Sequence, residues 1–165
     1  MRASRVVALV LLLVVAVVGS WWFFGRRLQQ PQTIAVYYTK LDGTTVVPWT
    51  VSLGPARDPR SVAFYAAVQA VAGPPSGIDA VRFPPGTRVR GVDLRGTEAD
   101  VDLSSAAGRS VQGSFTELAE FKALVWTLTD LPGISSVGVR LAGRRVATLP
   151  GGHLELDEPL TRQSF

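Results

Sequence analysis

An α+β fold, a mainly antiparallel sheet with two helices packed on one face, is predicted by three observations. Two segments carry their apolar residues on a single helical stripe, the intervening stretches alternate apolar and polar residues, and turn residues divide those stretches into hairpins. The chain has 165 residues, 47% hydrophobic and 18% charged, enough to bury one core. With no Cys there is no disulfide framework, thiolate metal site or cysteine nucleophile, and a single His, His153, leaves one base for any Ser-His-Asp arrangement.

Residues 1–5 read as a cytoplasmic stub, and Val6 to Phe24 as a run of 19 residues without charge, about 28 Å as a helix and matched to a bilayer core. Trp21, Trp22, Phe23 and Phe24 close it with an interfacial aromatic belt, which favours an uncleaved transmembrane anchor. The competing reading is a signal peptide cut near Gly19 and Ser20, giving a secreted chain. The α-amino group, Arg2 and Arg5 slightly outweigh Arg26 and Arg27, so the N-terminus is expected inside and the domain outside the cytoplasmic membrane. Residues 25–32 (GRRLQQPQ) read as a linker.

One domain is expected over 33–165. Thr33 to Tyr38 and Thr44 to Val51 form a hairpin about Leu41-Asp42-Gly43, with Pro48 placing the second strand at an edge. Asp58-Pro59 starts a helix with Ala63, Phe64, Ala67, Val68 and Val71 on its apolar face, and Gly73-Pro74-Pro75 stops it. Residues 74–87 are a Pro- and Gly-rich loop. Arg88 to Leu94 and Glu98 to Leu103 then make a second hairpin about Arg95-Gly96. Ser114 and Glu117 have capping-box spacing, and Leu118, Phe121, Leu124, Val125 and Leu128 give the second helix its stripe before Leu131-Pro132-Gly133. Ser136 to Leu141 and Arg145 to Leu149 complete a third hairpin about Ala142-Gly143-Arg144.

Charge narrows the partner class. The net charge of +4 and pI near 10.1 would suit nucleic acid, but four of the 17 basic residues, Arg2, Arg5, Arg26 and Arg27, bracket the apolar run. The remaining 13 face 13 acidic residues, so the domain is formally neutral and no nucleic-acid partner is expected.

Several motifs in order resemble the GerMN domain, the sporulation and spore germination protein M-like family of bacterial envelope proteins. They are Val71-Ala72-Gly73-Pro74 before Pro85-Gly86-Thr87, Ala99-Asp100-Val101-Asp102-Leu103-Ser104, and Trp126-Thr127-Leu128-Thr129 ahead of Leu131-Pro132-Gly133-Ile134. Val137 to Leu141 with Gly143, and Asp157-Glu158-Pro159-Leu160-Thr161-Arg162, complete the set, which covers about residues 33–165. The resemblance implies an extracytoplasmic, non-catalytic α+β module, often tethered by a lipid or helix and often found beside wall-binding or amidase modules. This chain departs from lipoprotein members by lacking a lipobox Cys, and it carries one copy of the domain, so a sporulation role is not carried over with the fold.

Among chemistry-bearing residues, Asp100 and Asp102 share one strand face and could hold a cation, but alternation alone puts two Asp on the solvated side opposite Val101 and Leu103. His153 sits in a glycine-flanked loop, exposed, with no nucleophile elbow to serve. Thr127 and Thr129 are expected to bond carbonyls one turn back. Trp126, Trp49, Tyr37 and Tyr38 could stack on a glycan or complete a core. The expectation is a membrane-anchored module that binds an envelope protein or peptidoglycan, with no catalytic residue, metal or cofactor and an open oligomeric state. Its candidate binding residues are Asp102, Ser104, Thr127, Thr129, Gly133 and Arg162. A wall-modifying enzyme and a self-associating structural component are the alternatives.

Overall fold

β-Branched and aromatic residues in the first segment extend the backbone as expected, giving β1 (Thr33–Thr39), which pairs antiparallel with β2 (Val46–Ser52). The turn between them is tied by Asp42, whose carboxylate accepts from the Thr44 and Thr45 amides and the Thr45 hydroxyl, bonds that hold it down to about 2. Pro48 faces Tyr37 in this ladder on a strand with no further partner among the described residues, the edge position its missing N–H requires.

The computed structural model describes residues 14–17, 19, 32–54, 58–109, 114–150 and 152–165. The expected membrane span lies outside the described residues apart from 14–17 and 19, which are helical, and the expected linker lies outside them apart from Gln32. Among the described residues no helix is long and apolar enough to cross a membrane. Thr33–Phe165 forms a compact unit distinct from Met1–Gln32.

Helix α1 (Pro59–Ala72) starts as its sequence dictates: Asp58 caps it by accepting from the Ser61 amide at 2.9 Å, and Gly73 ends it at φ 86°. Its buried face is Ala63, Ala66, Ala67, Ala70 and Val71, whereas Phe64 is exposed. Small side chains win that face because they let the helix lie close to its neighbours, leaving the bulky ring outside.

The second hairpin, β3 (Val89–Arg95) and β4 (Glu98–Leu103), forms as expected, with a bulge between Val89 and Gly91. The next strand is the exception to the mainly antiparallel expectation, which the other strand pairings meet, because β5 (Ser136–Leu141) joins β4 in parallel. A parallel partner needs a long crossover, and the connection supplies it with a 3-10 turn (Ser105–Arg109) and helix α2 (Ser114–Thr129). Among the described residues there are two sheets, β1-β2 and a mixed β3-β4-β5-β6. The third hairpin is also shorter than expected: β6 is only Arg144–Arg145. Beyond it Leu160 exchanges two 2.8 Å hydrogen bonds with Val137, so the C-terminal segment takes the β5 edge that a longer β6 would need.

Helix α2 contacts β1, α1, β5 and the C-terminal 3-10 turn (Arg162–Ser164), so it is buried well beyond one stripe. Phe121, Leu124, Val125 and Leu128 are buried as expected, but so are Ala119, Ala123, Glu117, Glu120 and Thr127, while Leu118 is exposed. The Ser114 side chain of the expected capping box lies outside the described residues; the Glu117 carboxylate accepts from the His153 and Leu154 amides, pinning a distant loop. Val92, Ala99, Val101, Leu103, Val137 and Val139 of the four-stranded sheet join the same core, with Phe83 edge-on to Phe121 at 5.5 Å.

Candidate functional site

Alternation that sends Val92, Val101 and Val139 into the core sends charge the other way. The register puts Asp93 and Arg95 of β3, Glu98, Asp100 and Asp102 of β4, Gly138 and Arg140 of β5 and Arg145 of β6 on one face. Arg140 is the bridge, donating Nε to Asp100 Oδ1 and Nη2 to Asp93 Oδ2, each at 3.0 Å. Partial burial works against its charge, but the Asp93 bond and the Asp100 charge together leave its pKa raised. Arg60 at the start of α1 ties in from the rim, with Nη2 2.6 Å from Asp93 Oδ1 and Nε on the Val92 carbonyl at 2.9 Å. Arg145 pairs with Glu98 at 2.9 Å. Gly138 makes room beneath: a Cβ there would meet the Glu98 carboxylate and lie 3.4 Å from Arg145 Nη2.

Asp100 corrects the expectation of a solvated carboxylate. It is on the predicted face yet fully buried, roofed by Arg140, by Arg95 3.4 Å from Oδ2 and by Arg145 at 3.8 Å. Oδ2 receives no hydrogen bond. Asp102 is spent on the fold, accepting from the Gly143 amide at 2.7 Å and pairing with Arg90 at 3.4 Å, which locks the β5–β6 turn to β4. Ser104 does the same for the Pro84 to Thr87 turn: its Oγ accepts from the Arg88 amide at 3.0 Å and donates to the Gly86 carbonyl at 3.3 Å.

Thr127, Thr129 and Arg162 do come together, away from Asp102 and Ser104. Both hydroxyls donate one turn back, to the Ala123 carbonyl at 2.8 Å and the Val125 carbonyl at 2.7 Å. The buried Thr127 Oγ1 also accepts from the Tyr37 amide at 2.9 Å, satisfying β1 on the edge away from β2. Thr129 Oγ1 accepts from Arg162 Nε at 2.8 Å, and the guanidinium stands 5.9 Å from the Tyr37 ring centroid and 5.7 Å from that of Trp126. Phe165 meets Trp126 edge-on at 5.8 Å. Tyr37 donates to Asp130 at 3.1 Å; partial burial, then this carboxylate, raise its pKa. Of the four aromatics considered for stacking, Tyr37 and Trp126 share this cluster, Tyr38 is buried in the core, and Trp49 lies exposed opposite Val36. Gly133 is a turn residue at φ 82°.

His153 is exposed and borders a cleft of about 550 Å³ with Leu118, Glu155, Asp157 and Glu158. Among the described residues no group of three or more His, Asp or Glu is placed to hold a metal ion. Glu120, buried on α2 with Oε2 unbonded, has its pKa pushed up to about 8, first by desolvation and then by the Glu117 charge. Sequence reasoning missed the ionic face because it weighed Asp100 and Asp102 alone. The signal was present as charge of both signs at period two in VRGVDLR, EADVDL and SVGVRL.

The arrangement defines a class first: an α+β domain whose mixed sheet has one face in a helix-packed core and the other covered by interlocked ions. The chain belongs to the Germane family, described as sporulation and spore germination, whose model matches residues 35–147. Similar solved structures are GerMN domains of the sporulation protein GerM from Bacillus subtilis. The tandem pair matches with TM-score 0.64 and 25% identity over 81% of this chain and 47% of that chain. Its first domain alone matches with TM-score 0.61 and 25% identity over 80% of this chain and 98% of that one. A putative lipoprotein from Clostridium perfringens shares the fold, with TM-score 0.58 and 17% identity over 81% of this chain and 89% of that chain. The chain thus spans about half of the tandem structure and nearly all of the single domain. No curated protein matches it in sequence.

Proposed function

We propose that this chain is a membrane-anchored, extracytoplasmic module that acts by binding an envelope protein or peptidoglycan, without covalent chemistry. The observation that carries this reading is where the polar side chains go. Asp102, Ser104, Thr127 and Thr129 bond the domain's own backbone and Arg162 its own α2, while the sheet face opposite the core presents arginines to solvent. Polar groups consumed by turns and caps hold a surface in shape; a reaction needs some of them free to meet substrate. The anchor in this reading is the apolar run Val6 to Phe24.

Two measurements test it. N-terminal sequencing and protease accessibility in intact cells are expected to find Val6 to Phe24 retained and the domain outside; a mature terminus at Ser20 or Trp21 overturns the anchor. Purified chain incubated with peptidoglycan is expected to release no fragments detectable by mass spectrometry. Release that stops on His153→Ala, the one imidazole, beside the acidic cleft, would establish the enzyme instead.

A further inference from the structure

We infer that the ionic face of the four-stranded sheet is the recognition surface, and that it fits an acidic patch on a partner protein. This inference rests on the binding reading above. The ions lie in two levels. Asp100, Asp102 and Glu98 are submerged, with side chains 0%, 14% and 22% exposed, whereas Arg145, Arg90, Arg95 and Arg60 stand above them at 44–67%. A partner therefore meets guanidinium groups first.

Two of those guanidiniums are hydrogen-bonded in place, Arg145 to Glu98 and Arg60 to Asp93, and the others stand over their carboxylates with donors to spare. Each carries five N–H donors, and Arg90 and Arg95 face their carboxylates only at 3.4 Å, so most donors remain for an incoming acceptor. The submerged acids hold the side chains before binding, which lowers the ordering cost that flexible arginines would otherwise carry. Planar bidentate pairing with carboxylates is the contact such groups make best.

Charge arithmetic selects a protein over a uniform polyanion. Five arginines, counting Arg140, stand against four carboxylates, and the half-exposed Asp93 would repel a surface of unbroken negative charge. A nucleic acid or an anionic bilayer gains little from so balanced a face. A protein can set its own carboxylates opposite Arg95 and Arg145 and a neutral or basic group opposite Asp93, and arginine-centred interfaces of this kind concentrate binding energy.

The test uses the full chain in intact cells, with a photo-crosslinking phenylalanine analogue at Thr97, the exposed turn at the rim of the face, and in separate strains at Trp49 and at Phe165. The expected result is a crosslink from Thr97 to a different protein, through a peptide bearing two or more Asp or Glu. Yield should fall at least tenfold in Arg95→Glu and at least threefold in Arg60→Glu, and return when one of that peptide's acids is changed to Arg in the Arg95→Glu strain. Arg60→Glu guards against misfolding, since the Asp93 pair and the Val92 bond it removes lie at a solvent-exposed rim; its unfolding midpoint should fall only slightly below the parent's. Crosslinks from Thr97 to a second copy, to lipid or to glycan, or crosslinks indifferent to both reversals, would overturn the acidic-protein assignment. Crosslinks only from Trp49 or Phe165 would overturn the face and leave the binding reading standing. No crosslink from any position would sink both.

Discussion

Asp100 shows how a residue can be read correctly for direction and wrongly for environment. Period-two alternation turns it away from Val101 and Leu103, but its roof comes from Arg95 next door and from Arg140 and Arg145 on strands more than thirty residues downstream, a pairing no local pattern announces. Thr127 is the opposite case, since its bond one turn back was legible and its more consequential bond, from the Tyr37 amide ninety positions away, was not. Thr127→Val keeps the shape and leaves that amide without an acceptor beside a buried side chain. The expected cost is about 1–3 kcal/mol in denaturant unfolding, with Thr127→Ser close to the parent. Glu120 gives a pH signature. Unfolded, it releases its proton near 4.5; folded, it holds the proton to about 8, so between those values the folded state binds more protons. Stability should therefore fall as pH rises through that window and level off above it. Glu120→Gln should flatten this part of the pH profile, as measured by urea midpoints from pH 4 to 9.

At the scale of elements, strand starts and stops fell close to expectation except at β6, because alternation and turn chemistry are both local; β4, Glu98–Leu103, begins and ends where its pattern does. Strand direction was not legible, since a period-two pattern reads the same in a parallel or antiparallel partner, although the α2 crossover before β5 carried the information. The rotation of α1 was not legible either: with Ala at most apolar positions, nothing in the sequence distinguishes Phe64 from Ala66 as the buried one. The β5–β6 turn exposes a local misfit. Ala142 has φ 51°, left-handed for a residue with a Cβ, and Gly143 follows at 86°. Asn-Gly is the preferred pair for such a turn, so Ala142→Asn should raise stability by about 0.5–1 kcal/mol, read as a higher thermal midpoint. Gly138→Ala should do the reverse. Its methyl would push the Glu98 carboxylate from Arg145 Nη2, and because Glu98 is flexible and partly exposed the loss should be only about 1 kcal/mol.

For the molecule as a whole, the family was legible because its motifs mark turns and crossovers spread along the domain, while the ionic face was hidden by a formally neutral total. Neutral sums conceal layers: the domain's acids and bases cancel in number, while on this one face Asp100, Asp102 and Glu98 sit beneath the arginines that pair with them. The same packing sets how the domain unfolds. Helix α2 touches β1, α1 and β5, and Thr127 carries a backbone hydrogen bond of β1, so the β1-β2 hairpin has no independent way to leave without exposing a helix buried on most of its surface. Residues 33–165 produced without the preceding segment should accordingly melt in one cooperative transition. Trp49 reports the hairpin and Trp126 reports α2, and they are the tryptophans of this stretch. Fluorescence midpoints of Trp49→Phe, which leaves the helix probe, and Trp126→Phe, which leaves the hairpin probe, should each coincide with the far-UV circular dichroism midpoint of the same variant. An earlier fluorescence transition in Trp126→Phe would mean the hairpin detaches on its own, and loss of cooperativity throughout would mean that a segment before Thr33 or a partner completes the core.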